Sequence, residues 1–372
     1  MNIGIYGGRL FFEKKDRHKW NEHSFFQGNI GGSEAWAICF SRTLCRNGHS
    51  VTLFCDCEDD HVSLDGVRYV RLDEFKEVIG NERFDRFFIS RDCELIDEGI
   101  CAERTYLVLH DTTVSYVDIT GYLNDGRYFG ILSHSPYQMC MFADKFCTDI
   151  NRFTLVPQGV DEEYYRDVRM YEKKNKMVWS SHKTRGAEFL IRKIFPLIRS
   201  EVPDFEIDVC GYVPDCTDDY FMTEGINVLG CLNKAEMARR QMESKIWIYP
   251  NTGVFGDRTV QGDTFCLTAV ENSFAENALI VSGRHAFPYT LMEYCDFEEG
   301  HDLFTGTELF EVGEEYVRKE RLDEYARVFA EKAVRLLKDG EYRKKHAAAA
   351  KAACRRYVWE NVYKTYQRKE II

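Results

Sequence analysis

The chain has 372 residues, with 49 lysines and arginines against 61 aspartates and glutamates, a formal net charge of −12. That length is about two domains' worth, and its aliphatic and aromatic content suits packed cores rather than disorder or a fibre. The acidic total argues against a general nucleic-acid binder, whose footprint is basic, but is compatible with a local basic pocket for phosphate. The 14 cysteines contain no CxxC spacing, the nearest approach being Cys55-Asp56-Cys57, so structural zinc is not expected. The opening MNIGIYGG lacks the pattern of a signal peptide, and no apolar run reaches the roughly 18 residues of a membrane span. The expectation is a soluble cytoplasmic protein whose thiols are reduced and fill cores.

Along the chain, Asn2–Tyr6 (NIGIY) predicts a buried strand that breaks into glycines. Gly31-Gly32-Ser33-Glu34 opens a helical pattern through Ala35, Ile38, Cys39 and Leu44, which Asn47-Gly48 stops before a strand at Val51–Cys55. Further strands are predicted at Arg86–Ser90, Thr105–Leu109, Phe129–Leu132 and Phe153–Val156, and Ser135-Pro136 reads as a helix start. Strand alternating with helix predicts a mostly parallel sheet with helices on both faces. Residues 161–176 are charged and poor in aliphatics, which suits a linker. The rhythm then restarts with a strand at Met177–Trp179, a helix from about Thr184 to Ser200, and strands at Phe205–Val209, Asn227–Leu229, Ile246–Tyr249 and Ala278–Val281. From Leu322 the pattern is helical. The expected organisation is one α/β domain over 1–160, a linker over 161–176 and a second α/β domain over 177–355.

Open parallel sheets bind ligands outside the carboxyl ends of their strands, and two such sheets facing each other would make a cleft. The loops at those ends carry the unusual residues: Gly7-Gly8, Gly31-Gly32, His110-Asp111, Ser180 to Arg185, Gly211, Gly230 and the stretch DTFCLTAVENSFAEN from Asp263 to Asn277. Gly28-Asn29-Ile30-Gly31-Gly32 is not GxGxxG, so the dinucleotide fingerprint is absent. Its glycine pair either turns backbone N–H groups toward an anion or sugar hydroxyl, or makes a tight turn into a helix capped by Ser33. His110 ends an apolar strand, where an imidazole can donate to a ligand oxygen, shuttle a proton, or simply be a satisfied structural residue. Ser180-Ser181-His182-Lys183-Thr184-Arg185-Gly186 combines hydroxyls, a helix start and two cations, the set a diphosphate requires. Cations at a helix N-terminus oppose the dipole, a misfit that an anionic ligand would relieve. Thr268-Ala-Val-Glu271 matches a capping box, which predicts a helix start at Thr268 and a stop at Asn277. Either Glu271 reaches back to its own cap and Asp263 is loop surface, or the amides of Phe265, Cys266, Leu267 and Thr268 face a ligand and Glu271 binds a hydroxyl pair. Glu276 reads as a solvated helix-end residue. Phe11, Phe12, Trp20, Phe25 and Phe26 line an acceptor site, touch a membrane surface, or pack their own loop down.

In this combination the chain resembles a family-4 retaining glycosyltransferase of the GT-B fold, over nearly its whole length. GGSE, the VPQGVD run at Val156–Asp161, SSHKTRG and an acid-x7-acid stretch occur in that family's order. The resemblance implies two Rossmann-like parallel-sheet domains facing across a cleft, with residues 356–372 (YVWENV and beyond) forming a helix that crosses back to the first domain. It implies a nucleotide diphosphate sugar donor, UDP- or GDP-linked, with no metal or other cofactor required. The acceptor would be a carbohydrate, lipid-linked or small-molecule hydroxyl. In the same terms Glu271 would hold the ribose hydroxyls, Arg185 with Ser181 and Lys183 the diphosphate, and Gly230-Cys231-Leu232 the surroundings of the base. His110 would contact the donor sugar, Gly31 and Gly32 would lie close to the phosphates, and Asp263 with the amides of Phe265 to Thr268 would read sugar hydroxyls. The chain departs from the family's pattern at Asp263 (usually Glu), at Cys266 (Gly), at Thr268, and at Ser180-Ser181 and Arg185, where the family often has arginine and lysine. A rival from another class is a catalytically silent GT-B protein acting as a sugar-binding or partner subunit. A nicotinamide oxidoreductase stands further off, without GxGxxG and its downstream acid.

Overall fold

The computed structural model describes residues 1–9, 19–28, 30–112, 119–210, 218–251, 254–255, 258–259, 262–283, 285–291, 304–305 and 321–372. Phe11, Phe12, Asn29 and Gly211 lie outside them. The chain divides into two compact units, residues 1–161 with 357–372, and residues 162–356.

In the first unit, β1 (Asn2–Gly8), β2 (Ser50–Cys55), β3 (His61–Val62), β4 (Arg68–Arg71), β5 (Phe84–Ser90), β6 (Ala102–Val108), β7 (Gly130–Ser133) and β8 (Phe153–Leu155) form one sheet. Its order is β3-β4-β2-β1-β5-β6-β7-β8. Every pairing is parallel except that of β3 with β4. Ile3 and Ile5 of β1 are fully buried, as continuous apolar runs in a parallel sheet covered on both faces must be. One core cluster gathers Phe54, Phe84, Phe87, Leu107, Ile131 and Phe142. Ser135 does start the Pro136–Lys145 helix, its side chain accepting from the Gln138 amide. The short strands β3 and β4 escape sequence prediction because β3 has only two residues, His61 and Val62, and RYVR of β4 offers only two apolar ones, Tyr69 and Val70, both buried, between two arginines.

The Trp359–Arg368 helix also belongs to this unit and packs on the Gly32–Arg46 helix. Tyr366 lies 4.6 Å from Phe40 between ring centroids, His49 Nε2 is 2.9 Å from the Tyr363 hydroxyl, and Arg86 Nε donates to the Ile371 carbonyl at 2.8 Å. Val160 and Val358 form a parallel bridge.

The second unit holds β9 (Lys176–Trp179), β10 (Glu206–Cys210) and β11 (Ile226–Gly230), ordered β11-β10-β9, and β12 (Ile246–Tyr249), β15 (Ala278–Ser282) and β16 (Phe304–Thr305), ordered β12-β15-β16. Both three-stranded sheets are parallel, and β13 (Val254–Phe255) and β14 (Arg258–Thr259) make an antiparallel pair. A parallel bridge from Lys174 to Ser244 and the Lys245 N–H bond to the Lys176 carbonyl at 3.2 Å set β9 beside β12. Within the charged stretch 161–176, Tyr165 and Val168 are buried, and the Tyr165 hydroxyl donates to Gln241 Oε1 at 2.6 Å.

The single helix expected from Thr184 to Ser200 is instead a 3-10 turn (Lys183–Arg185), a short helix (Ala187–Phe189), a π turn (Leu190–Ile194) and a helix (Phe195–Glu201). Pro196 explains the break. Proline donates no N–H and its ring collides with the carbonyl four residues back, and a wider π turn just before it removes that collision.

Gly159 gives the first unit a testable packing point. A Cβ there would stand 2.3 Å from the Trp359 ring, so Gly159→Ala must push the C-terminal helix outward. Overpacking of this kind costs about 1–3 kcal/mol, and urea denaturation should show that loss as a lower midpoint with an unchanged slope.

Candidate functional site

In the second unit the strand order reverses between β9 and β12, the place where an open parallel sheet forms its ligand crevice. The chain leaves β9 as Ser180-Ser181 and β12 as Pro250-Asn251. The Trp179 and Tyr249 rings stack there, 5.2 Å apart at 15°. Trp179 Nε1 donates to the Ser181 carbonyl at 2.7 Å, and the Ser181 side chain hydrogen-bonds to the buried Tyr249 phenol. His182 caps the turn that follows. Gly186 then takes φ +109, and a Cβ on it would lie 2.9 Å from the Pro250 carbonyl oxygen. Only glycine lets the next helix come this close to the end of β12.

Arg185 and Asp263, far apart in sequence, form one pair. Arg185 Nη1 donates to the Gly262 carbonyl at 2.8 Å and sits 3.2 Å from Asp263 Oδ1. Asp263 Oδ2 is buried and makes no hydrogen bond among the described residues. Lys183 Nζ donates to Asp218 Oδ2 at 2.8 Å, so its charge is held by a carboxylate that the sequence reading did not single out.

The capping box is not formed. The helix runs Leu267–Phe274 with Cys266 as N-cap at φ +68, ψ +75, and no side chain caps it. Thr268 lies inside the helix, its carbonyl accepting from Asn272 Nδ2 at 2.8 Å, and so cannot serve as the cap. Glu271 turns instead to Lys234, because an ammonium is a stronger partner for a carboxylate than a neutral amide. Lys234 opens the Lys234–Met242 helix, which Asn233 caps just after Gly230, Cys231 and Leu232, and so ties Glu271 to that loop. Phe265 is buried, its carbonyl accepting from Thr290 Oγ1 at 2.9 Å, while Cys266, Leu267 and Thr268 are half-buried. Burial, with the nearby Asp263 charge, pushes the Cys266 thiol well up. Glu276 is not a solvated helix end: it pairs with Lys351 at 2.8 Å, because its left-handed backbone (φ +57) turns it back toward the Gly340–Cys354 helix.

The first unit has its own switch point between β1 and β5. Gly31 is the N-cap of the Gly32–Arg46 helix and no side chain caps it. Ser33 is therefore not the cap; its hydroxyl is buried with no hydrogen-bond partner among the described residues. Arg91, at φ +67 just past β5, donates from Nη1 to buried Glu34 at 3.0 Å and from Nε to Asp111 at 2.6 Å. This guanidinium fastens the GGSE turn to the end of β6. His110 follows β6 and is buried. Its Nδ1 lies 3.2 Å from His134 Nε2 and 3.3 Å from Gln158 Nε2, and its ring meets Trp36 edge-on at 5.0 Å. Burial first, then the charges of His134 and Arg91, hold His110 well below the usual imidazole range, and burial lowers His134 to about 4. Both rings are neutral near pH 7.

Arg91, His134 and Lys234 were not among the residues that the sequence singled out for the site, and Asp111 and Gln158 were named only within His110-Asp111 and VPQGVD, with no role given. A signal for two of the missed residues was present: FFIS-Arg91 and ILS-His134 each set a polar residue at the end of an apolar strand, as His110 does. Among the described residues no group of three His, Cys, Asp or Glu side chains is placed to hold a metal ion, and no helix is long and apolar enough to cross a membrane.

No family model matches the sequence, and no curated protein matches it. Solved structures do resemble it. Sucrose-phosphate synthase from Thermosynechococcus elongatus superposes with a TM-score of 0.67 at 11% identity, over 99% of this chain and 98% of the other. A glycosyltransferase from Rickettsia africae gives 0.66 at 10%, over 99% and 97%. HepE from Anabaena, solved with UDP-glucose, gives 0.61 at 10%, over 100% and 99%. The fold is therefore GT-B, the α/β architecture of these glycosyltransferases.

Two predictions concern these loops. Cys266 holds a left-handed conformation that β-branched residues tolerate poorly. Cys266→Val should lower stability by about 1–3 kcal/mol while Cys266→Gly does not, as read from denaturation midpoints. Asp92, beside Gly8 at the first unit's switch point, is raised to about 6 by burial and then by Glu94. A carboxyl whose folded pKa exceeds its unfolded value of about 3.9 favours the folded state at low pH and loses that contribution as pH rises from about 4 to 6. Asp92→Asn should therefore gain stability over the wild type between pH 4.5 and 7, measured as the difference between their urea midpoints at the two pH values.

Proposed function

We propose that this chain transfers a sugar, with retention of configuration, from a nucleotide diphosphate sugar to an acceptor hydroxyl on a carbohydrate, lipid-linked or small molecule. One observation carries the reading. The switch point of the second unit holds Arg185 fixed by Asp263 and the Gly262 carbonyl, and Asp263 stands four residues before Leu267, the start of a helix whose N-terminus no side chain caps. A guanidinium and open helix amides are what a diphosphate binds. The fold neighbours support the donor class, since HepE was solved with UDP, with UDP and glucose, and with UDP-glucose.

In this reading Arg185 takes the diphosphate in competition with Asp263 and neutralises the leaving group as the glycosidic bond breaks. Ser181 lies beside it, and Lys183 contributes only when Asp218 releases it. Glu271, oriented by Lys234, accepts the two ribose hydroxyls, with Cys231 and Leu232 alongside the base. Asp263 and the amides of Phe265 to Thr268 meet sugar hydroxyls. In the first unit, Gly31 and Gly32 offer backbone amides to phosphate and His110 meets the donor sugar. The nucleotide is uridine or guanosine diphosphate.

Arg185→Ala should cut release of nucleoside diphosphate by about 10²–10³-fold, the loss seen when one charge-stabilising donor is removed, with the thermal midpoint little changed. Arg185→Lys should fall between, because lysine brings the charge without the fork. A thermal-shift series with UDP-, GDP- and ADP-sugars should raise the midpoint for one base. Near wild-type turnover in Arg185→Ala would sink the role of that residue, and no shift or turnover with any nucleotide sugar would sink the reading.

A further inference from the structure

We infer that His134 is a positioning residue: it fixes the tautomer of His110 so that His110 presents Nε2 as a hydrogen-bond acceptor, which accepts a hydrogen bond from a hydroxyl of the donor sugar. The last clause rests on the function proposed above; the tautomer does not.

A run of short contacts in the first unit leads to this assignment. His134 Nδ1 lies 2.9 Å from the Val156 carbonyl oxygen. A carbonyl only accepts, so His134 Nδ1 carries the proton. A neutral imidazole carries one proton, which leaves a lone pair on His134 Nε2. That lone pair faces His110 Nδ1 at 3.2 Å, and two lone pairs at this distance would repel, so His110 Nδ1 must donate. His110 is neutral in its turn, and its single proton is then used. Its Nε2 is left as an acceptor toward whatever faces it. Burial of both rings, which keeps either from taking a second proton near neutral pH, makes the relay binding. Gln158, 3.3 Å from the same His110 Nδ1, fits when its amide is turned to offer Oε1, and amide orientation is set by such networks. The edge-on Trp36 ring and the bonds from Gln138, which accepts from the His134 backbone amide at 2.9 Å, keep the two imidazoles in register.

Of the roles that the sequence left open for His110, this tautomer disfavours donation to a ligand oxygen. A residue with an acceptor nitrogen selects a hydroxyl or amide N–H and disfavours a carboxylate or phosphate oxygen in that place. Protein with ¹⁵N-labelled histidine, without ligand, tests the tautomer directly by two-bond ¹⁵N–¹H correlation spectra, with His110 assigned by its loss in His110→Gln. The expected result is a protonated Nδ1 and an unprotonated Nε2 on His110. In His134→Leu the proton should move to His110 Nε2, the form a free neutral imidazole prefers, whereas His134→Asn, which restores an acceptor, should keep it on Nδ1. With a donor found by the thermal-shift series, His134→Leu should lower kcat about ten- to a hundredfold, the effect of a misplaced buried hydrogen bond, and leave the affinity for free nucleotide unchanged. A proton on Nε2 of His110 in the wild-type protein would overturn the inference, and this measurement needs no variant of His134 to fold. Failure of every nucleotide sugar, with the wild-type spectrum as expected, would overturn the sugar-hydroxyl clause together with the function and leave the tautomer assignment standing.

Discussion

A parallel strand releases its chain at the carboxyl end, and where neighbouring strands continue in opposite directions across the sheet their loops part and leave a crevice. Each unit has one such place, between β1 and β5 and between β9 and β12. Every other feature of the candidate site follows from which residues stand there. In the second unit the loop after β9 delivers Arg185, and Gly186 lets the next helix close against β12. In the first unit the ends of β5 and β6 deliver Arg91 and His110, and the start of the Gly32–Arg46 helix, which no side chain caps, delivers Gly31 and Gly32. Neither set needs a special fold. Each needs a doubly wound sheet and the right residue in the connection that follows a strand.

Charge then decides how these side chains are held. Although the chain is acidic overall, the cations described at the candidate sites each have a carboxylate partner: Arg185 with Asp263, Lys183 with Asp218, Lys234 with Glu271, and Arg91 with Glu34 and Asp111. Such pairing orders long side chains before any ligand arrives and so lowers the entropy lost on binding. It also sets a threshold. An anion that displaces Asp263 from Arg185 must be a better partner than that single carboxylate oxygen, which a bidentate diphosphate is and a weakly charged ligand is not. The buried histidine pair works by the opposite means, since neutrality rather than charge makes its proton positions definite.

The sheet strands were legible because buried parallel strands are short apolar runs that end in glycine or polar residues, and β1, β5, β6, β10, β12 and β15 all read this way. Less legible were β3, only two residues long, β4, where two apolar residues between arginines give no period, and the Lys183–Glu201 region, where Pro196 is accompanied by a π turn that helical periodicity does not announce. For the site, the sequence could nominate Arg185, Asp263, Glu271 and His110 singly. It could not show that Arg185 and Asp263 would be partners or that Glu271 would choose Lys234 over Thr268. The capping-box reading failed for a local reason: the pattern S/T-x-x-E assumes that the threonine stands outside the helix, and the left-handed Cys266 moved the helix start ahead of it.

That left-handed residue is one of six non-glycine positions of positive φ among the described residues. Three of them, Cys147, Glu276 and Glu370, each lie just beyond the C-cap of a helix, where this conformation commonly ends a helix. The other three, Arg91, Cys266 and His285, end no helix, and such a conformation costs roughly 1–2 kcal/mol for each. Arg91 turns its guanidinium between Glu34 and Asp111. Cys266 starts the Leu267–Phe274 helix without a side-chain cap. His285 lays its ring against Gly262, where a Cβ would come within 2.8 Å of it, and the Gly262 carbonyl is the one Arg185 uses. Backbone strain persists where surrounding contacts over-determine it, and it collects at working sites. Once the helix ends are set aside, the remaining strain in each unit falls at the switch point and its loops, independently of the motifs that first drew attention there.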